Sequence, residues 1–370
     1  MDRANLVIIG GGVVGCAIAM EAAGRHDDVF LLEGLPRLGL GASTRNSGVI
    51  HAGLYYPPGS LKARHCVAGN RRTYQFCSAH GVPHRRTGKL VVAAGEEEEE
   101  ALAGLQRNAE ANGVEGLRWL DAAGVRAREP HIRGSAGLEV PSSGIVSSED
   151  LVKACARIAA ERGANLLTHA RVTRLEAGPG GVRVTSEAGE IEARCLVNAA
   201  GLFADEVAAL LGNGEARGRY RIYPVRGEYC EVARAKSHLV HALVYPLPHQ
   251  HGLSLGVHLT KTLWGTVLVG PTARYIADKN DYERDREPVE HFARGARQLL
   301  PEITAADLTL AYTGIRAKLS APGAGPADFI VERDAAVPAA IHLAGIDSPG
   351  LTSALSLAEH VATLVDETLG

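Results

Sequence analysis

Apolar positions in this chain gather into short unbroken runs separated by longer, mixed stretches. Positions 6–9 (Leu-Val-Ile-Ile) and 29–32 (Val-Phe-Leu-Leu) are continuous apolar runs of strand length, and the segment between them, from about 13 to 24, is long enough for a helix. A strand buried on both faces reads as such a run, and strand–helix–strand at this spacing predicts a right-handed βαβ unit in a parallel sheet. The same order closes the chain, with a strand at 341–345 and a helix over 351–369. Helical spacing also covers 61–79, 292–300 and 151–162, the last behind a Ser147-Ser148-Glu149-Asp150 start signal. Strands are predicted at 89–93, 165–168, 182–184 and 195–198. The segment 220–270 is strand-rich, with turn signals at 246–249 and 264–265. The acidic run 96–100 reads as the solvated start of a helix reaching 112. Residues 35–56 are rich in Gly and Ser and lack periodicity, which predicts a long loop; such loops are usually functional.

This order predicts an α/β protein. A Rossmann-type parallel-sheet domain is assembled from 1–80, 144–218 and 308–370, and an antiparallel-sheet domain, 81–143 and 219–307, is inserted twice. The length of 370 residues, beyond what one core usually supports, agrees with two domains. The net charge of −3 supplies no global field for nucleic acid or an anionic membrane, so an acidic substrate must meet a local Arg/Lys cluster. The six cysteines form neither CxxC pairs nor Cys/His clusters; they are expected to be buried thiols, with no metal site. The apolar stretch 7–20 is not read as a secretory signal, because glycines at 10, 11, 12 and 15 interrupt it and only Arg3 precedes it as a cation. No run reaches the roughly 18 apolar residues of a membrane span, and a cytoplasmic location is expected.

Gly10-Gly11-Gly12-Val13-Val14-Gly15 follows the first strand, opens the first helix, and is answered by Glu33 at the end of the second strand. That context turns a weak G-x-G-x-x-G into a dinucleotide fingerprint. Gly10 makes the turn, Gly12 admits the pyrophosphate to the backbone, Gly15 lets helix and strand pack, and Glu33 accepts from ribose hydroxyls. The helix N-terminus offers free N–H groups to phosphate. An NAD enzyme would continue the Rossmann unit after the second strand. Here the polar loop 41–48 comes instead.

At this loop the run 43–56, Ser-Thr-Arg-Asn-Ser-Gly-Val-Ile-His-Ala-Gly-Leu-Tyr-Tyr, resembles the D-amino acid oxidase superfamily of flavoproteins, and within it the L-2-hydroxyglutarate dehydrogenases and oxidases. The likeness continues through 60–63, 88–90, 255–260, 314–318 and 348–352. It implies FAD extended over the parallel sheet, held without a covalent bond. Ser43, Thr44, Asn46, Ser47 and Gly48 would line the pyrophosphate and flavin, with Val13 and Val14 at the helix start. Val172 would meet the adenine, and Ala200 and Gly201 would pass near the pyrophosphate. Gly314 and Arg316 complete this set, together with the return from Gly345 through Ser348, Pro349, Gly350, Leu351 and Thr352 beneath the flavin. There the last helix would turn its N-terminus to the edge of the ring that carries negative charge on reduction.

Oxidising a 2-hydroxy acid needs a base for the hydroxyl proton and a cation to hold the carboxylate. His51, on the loop beside the flavin, is the first candidate base, and His258 the second; His249 and His251 are weaker. Arg316 and Lys318 share a strand face by alternation and would clamp a carboxylate. Tyr55, Tyr56 and Thr260 are further substrate contacts, and Arg226 is a candidate for the second carboxylate of a diacid. The expected reaction is FAD-dependent oxidation of a small 2-hydroxy acid such as L-2-hydroxyglutarate. The alternative is an amine oxidase of the glycine, sarcosine or D-amino acid type, for which His51 would be dispensable. The electron acceptor could be oxygen, a quinone or a protein, so peripheral contact with the inner face of a membrane stays open.

Overall fold

The computed structural model describes residues 2–212, 218–248 and 256–370. Strand β1 (Asp2–Ile9) runs parallel to β2 (Val29–Leu32) on one side and to β12 (Gly189–Asn198) on the other. Beyond these lie β9 (Asn165–Leu167), parallel to β2, and β20 (Ala340–Ala344), parallel to β12. Alternation along β1 splits its side chains between two cores. Leu6 and Ile8 face helices α1 (Val13–Ala22), α5 (Ser148–Glu161) and α8 (Gly350–Leu369), while Val7 and Ile9 face Leu175, Val182, Val184 and Val207. A strand covered on both faces needs the unbroken apolar run that positions 6–9 show. An antiparallel hairpin, β10 (Val172–Gly178) and β11 (Gly181–Ser186), extends β12, and β19 (Ile330–Arg333) pairs with β20.

Among the described residues the second sheet has nine strands. Its path runs β17 (Arg274–Tyr275), β13 (Tyr223–Val232), β16 (Val267–Gly270), β15 (His258–Lys261), β14 (Leu243–Pro246), β5 (Lys89–Ala93), β7 (Ala136–Val140) and β6 (Arg118–Asp121). All pairs are antiparallel except β14 with β5, which are parallel. The ninth strand, β18 (Leu308–Lys318), pairs with β13 along its whole length. The expected return to the first domain at residue 308 therefore comes later, at β19. The antiparallel ladder with β13 holds 308–318 in the second sheet.

One face of this sheet buries Leu90, Val92, Val244 and Leu259 against Phe292 and Ala293 of α7 (Val289–Ala296). The opposite face carries Val91, Ala93, Leu243 and Tyr245, and packs on Val49, Ala52 and Leu54. That second contact joins the two domains. A small three-stranded sheet, β3 (Val49–Ile50), β8 (Gly144–Val146) and β4 (His84–Arg85), and helix α2 (Leu61–His80) complete the junction. All six cysteines are buried and free. Among the described residues, no helix is long and apolar enough to cross a membrane.

Candidate active site

A cleft of about 2120 Å³ runs from the N-terminus of α1, along the loop after β2, to β18 and the start of α8. Drug-sized pockets occupy roughly 300–1,000 Å³, so this one has room for an extended dinucleotide and a small substrate. At its floor Gly10 adopts φ +107°, and a β-carbon there would stand 2.5 Å from the Ala199 carbonyl oxygen. Gly12 faces the Ser43 hydroxyl, which accepts a hydrogen bond from the Val13 N–H at 2.8 Å. Gly15 stands away from the cleft, where a side chain would overlap the Gly10 carbonyl as helix crosses strand. The Glu33 carboxylate is held by the backbone N–H groups of Gly11 (2.7 Å) and Leu35 (2.8 Å) at the cleft wall. Each oxygen keeps a lone pair for a hydroxyl. Val14, Val172, Ala200 and Gly201 line the same end. Buried Asn198 shapes the turn beneath them, accepting from Ala200 N–H (3.2 Å) and donating to the Ala204 carbonyl (2.7 Å).

The loop of residues 41–48 is stapled to itself. Asn46 donates to the Ala42 and Ser43 carbonyls and accepts from Gly48 N–H at 2.8 Å. Ser43, Asn46 and Ser47 line the cleft. Thr44 and Gly48 do not: Thr44 donates to the Gly39 carbonyl, and Gly48 (φ +66°) presses on the Val146 carbonyl. The loop crosses β18 at Gly314, where any β-carbon would overlap the Arg45 carbonyl oxygen. Ser348, Pro349, Gly350 and Leu351 bring the N-terminus of α8 to the cleft, so two helix N-termini, those of α1 and α8, open onto it. Gly345 and Thr352 support from behind. Glycine cradle, carboxylate and helix ends together fit FAD.

At the far end of the cleft stands His51. Its N–H donates to the Thr352 hydroxyl (3.0 Å), its carbonyl accepts from Asn70 (2.8 Å), and its ring has Ser348 Oγ 3.3 Å from Nε2 and Lys89 Nζ 3.5 Å from Nδ1. Burial first, then the charges of Lys89 and His258, hold its pKa well below the ordinary imidazole value, so the ring is neutral and able to take a proton. His258 also lines the cleft, stacked on Tyr245 at 3.8 Å, and burial and then the Lys89 charge pull its pKa down to about 3. Tyr55 and Tyr56 line the wall, and the buried Tyr55 hydroxyl has no hydrogen-bond partner among the described residues. An orphaned buried donor of this kind suits a ligand.

Arg316 and Lys318 both reach the cleft, as alternation along β18 requires. The Arg316 guanidinium lies over Gly227, where a β-carbon would be 2.7 Å from Nη1, and it donates to the Thr272 carbonyl. Lys318 is shared: its Nζ stands 3.4 Å from Asp347, which Lys62 also meets at 2.7 Å. The three make a half-paired group with one surplus positive charge.

Two expected substrate contacts fail. Arg226 is fully buried and spent on Glu228 (3.0 Å) and Asp281 (3.3 Å). It alternates with Gly227, so it points to the opposite face of β13 from Arg316. Thr260 is wholly buried in β15 and does not reach the cleft. His249 and His251 lie outside the described residues. Among the polar residues that the sequence reading did not single out are Lys62, Asp347 and Lys89. Lys62 and Lys89 sit in the runs 60–63 and 88–90, and that was the only signal for them.

Comparison with known proteins agrees with this geometry. The model of the family described as FAD dependent oxidoreductase (DAO) matches residues 5–364. An Escherichia coli L-2-hydroxyglutarate dehydrogenase is 35% identical, covering 99% of this chain and 94% of its own, and a mitochondrial L-2-hydroxyglutarate dehydrogenase of Arabidopsis thaliana is 34% identical over 98% and 83%. Among solved structures, the FAD-bound L-alpha-glycerophosphate oxidase of Mycoplasma pneumoniae superposes with a TM-score of 0.90 at 26% identity, over 99% of this chain and 95% of its own. The glycine oxidase of Geobacillus kaustophilus, 23% identical over 99% and 95%, shares the fold with a TM-score of 0.82. The chain belongs to the FAD-dependent oxidoreductase family and is an FAD-dependent enzyme.

Proposed function

We propose that this enzyme oxidises L-2-hydroxyglutarate to 2-oxoglutarate. The observation that carries the reading is a neutral His51 and a half-buried Arg316 on one cleft, in a chain 35% identical over nearly its whole length to an L-2-hydroxyglutarate dehydrogenase. Bound FAD supplies the acceptor for the α-hydrogen, which leaves as hydride.

The residues of the chain do the rest. Arg316 takes the carboxylate next to the hydroxyl as a two-pronged donor and so fixes the α-carbon. His51 receives the hydroxyl proton at Nε2, the ring nitrogen that stands 3.3 Å from Ser348 Oγ. The Lys62–Asp347–Lys318 group, with its one uncompensated cation, faces the second carboxylate of the diacid. The Tyr55 hydroxyl gains in the substrate the partner it otherwise lacks. The α8 N-terminus, at Gly350 and Leu351, holds the negative charge that accumulates on reduction.

The test is turnover with an artificial electron acceptor on L-2-hydroxyglutarate, its D-enantiomer, L-lactate and glycine. The L-diacid is expected to lead by at least about tenfold, since the monoacid forfeits a charged contact worth roughly 1.5–3 kcal/mol. Preference for glycine would transfer the protein to the amine oxidases of the same fold.

A further inference from the structure

Lys89 is a cation placed where a cation is costly. Only 1% of its surface is exposed, and among the described residues no carboxylate pairs with it. It opens β5, and alternation puts it on the face of the sheet that carries Val91, Ala93 and Tyr245, toward the loop bearing His51. Among the described residues, everything facing it is uncharged or basic: Cys66 from α2, His51 and Tyr55 from the loop after β3, Tyr245 from β14 and His258 from β15. Its Nζ stands 4.0 Å from the Tyr245 ring centroid, 5.3 Å from that of Tyr55 and 3.5 Å from His51 Nδ1. A buried charge is normally paired. This one stands behind the base and apart from the cleft surface.

Resting on the hydroxy-acid reading above, we propose that Lys89 is the terminal proton acceptor of the reaction, reached through His51. In the ready state the Lys89 amine is neutral and accepts from His51 Nδ1–H, which leaves the Nε2 lone pair for the substrate. The substrate O–H bond breaks as Nε2–H forms. The Nδ1–H bond breaks as the third Nζ–H bond forms. The α-hydrogen leaves with its electron pair to bound FAD, and a carbonyl remains. His51 ends neutral in its other tautomer, and the positive charge ends on Lys89, over the Tyr245 ring. The 3.5 Å separation is that of an unliganded pair, which tightens when the reacting complex forms.

This arrangement also explains why no carboxylate among the described residues pairs with Lys89. Paired with one, Lys89 would stay protonated and would donate to Nδ1, which forces the proton onto Nε2 and removes the base. Burial instead lowers the Lys89 pKa to about 7, so the amine is available at and above neutral pH. Lys89 acts through His51 and is a positioning residue.

The experiment compares the wild-type enzyme with Lys89→Met and Lys89→Arg, each purified with FAD bound, in two measurements. The first is the rate of anaerobic flavin bleaching by saturating L-2-hydroxyglutarate across pH 5.5–9. The wild-type rate should fall by tenfold or more as the pH drops through about 7. Both variants should be slower by roughly 10²-fold with KM little changed, and neither should show that inflection. If Lys89→Arg keeps the rate while Lys89→Met raises KM alone, Lys89 is a carboxylate anchor and the proposal is overturned.

The second measurement is the His51 tautomer, read by ¹⁵N NMR in the oxidised enzyme without substrate. Protonated Nδ1 in the wild type above pH 8, lost in Lys89→Met, supports the relay. Protonated Nε2 in the wild type contradicts it. This readout stands whether or not a 2-hydroxy acid is the substrate, so failure of that assignment, seen as no bleaching of the wild type, is distinguishable. Its wild-type arm also needs no variant to fold.

Discussion

Replacing Lys89 by Met should make the protein more stable at neutral pH and less able to work. The side chains are similar in length and volume, so the substitution leaves no large cavity. What it removes is a cation that is 1% exposed and has no carboxylate partner among the described residues. The folded-state pKa is lowered from 10.5 to about 7, burial being the main cause. At about 1.4 kcal/mol for each pH unit, holding the ammonium in the folded protein costs roughly 5 kcal/mol. Against this stands the hydrogen bond with His51, which the amine makes in either protonation state and which is worth about 2 kcal/mol at most. Lys89→Met should therefore gain roughly 3 kcal/mol near pH 6.5.

The gain must depend on pH. Between about 7 and 10.5 the unfolded chain binds the proton and the folded one does not, so wild-type stability rises with pH through that window. Below 7 the penalty is full, and near 10.5 it is gone. Thermal melts followed by flavin fluorescence should show the variant several degrees above the wild type at pH 6.5 and level with it or below at pH 10. A variant that melts lower at pH 6.5, or a gap that ignores pH, would refute the assignment of Lys89 as an unpaired buried cation.

Three further outcomes follow from the site. His51→Asn should bind FAD normally yet slow bleaching by L-2-hydroxyglutarate about 10²–10⁴-fold, because only the proton transfer is removed; an unchanged rate would show that His51 is not the base. Arg316→Lys should raise KM by roughly 10²-fold, since a point charge cannot reproduce the two-pronged grip over Gly227, as initial rates against substrate concentration would show. Gly314→Ala should yield protein largely free of flavin, measured by its absorbance ratio, because the new methyl overlaps the Arg45 carbonyl and lifts the loop of 41–48 off β18.

The parts of this enzyme that were legible in the sequence are those set by local spacing. Gly10, Gly12 and Gly15 declare a turn and a crossing that need no distant partner to be recognised. Arg316 and Lys318 share a face because alternation requires it. Local spacing also misled. Arg226 precedes Gly227, and only the register of β13 against β18 shows that it faces away from the cleft, toward Glu228 and Asp281. Strand β18 leads toward the last βα unit in sequence, yet its hydrogen bonds go to β13. Lys62 and Asp347 are 285 residues apart. Lys89 reads as the polar first residue of an apolar strand, and its meaning comes from pairing β5 with β14 and laying both on the loop of His51. Such meetings are made by tertiary contact and leave no period in the chain.

The most direct test of the central claim is an anaerobic titration of the oxidised enzyme with L-2-hydroxyglutarate, following the flavin band and assaying 2-oxoglutarate. The account predicts that one equivalent of substrate bleaches one equivalent of flavin and yields one equivalent of 2-oxoglutarate, while the D-enantiomer leaves the band intact. A band that persists through excess L-2-hydroxyglutarate, in protein that an amine or amino acid bleaches, would contradict it.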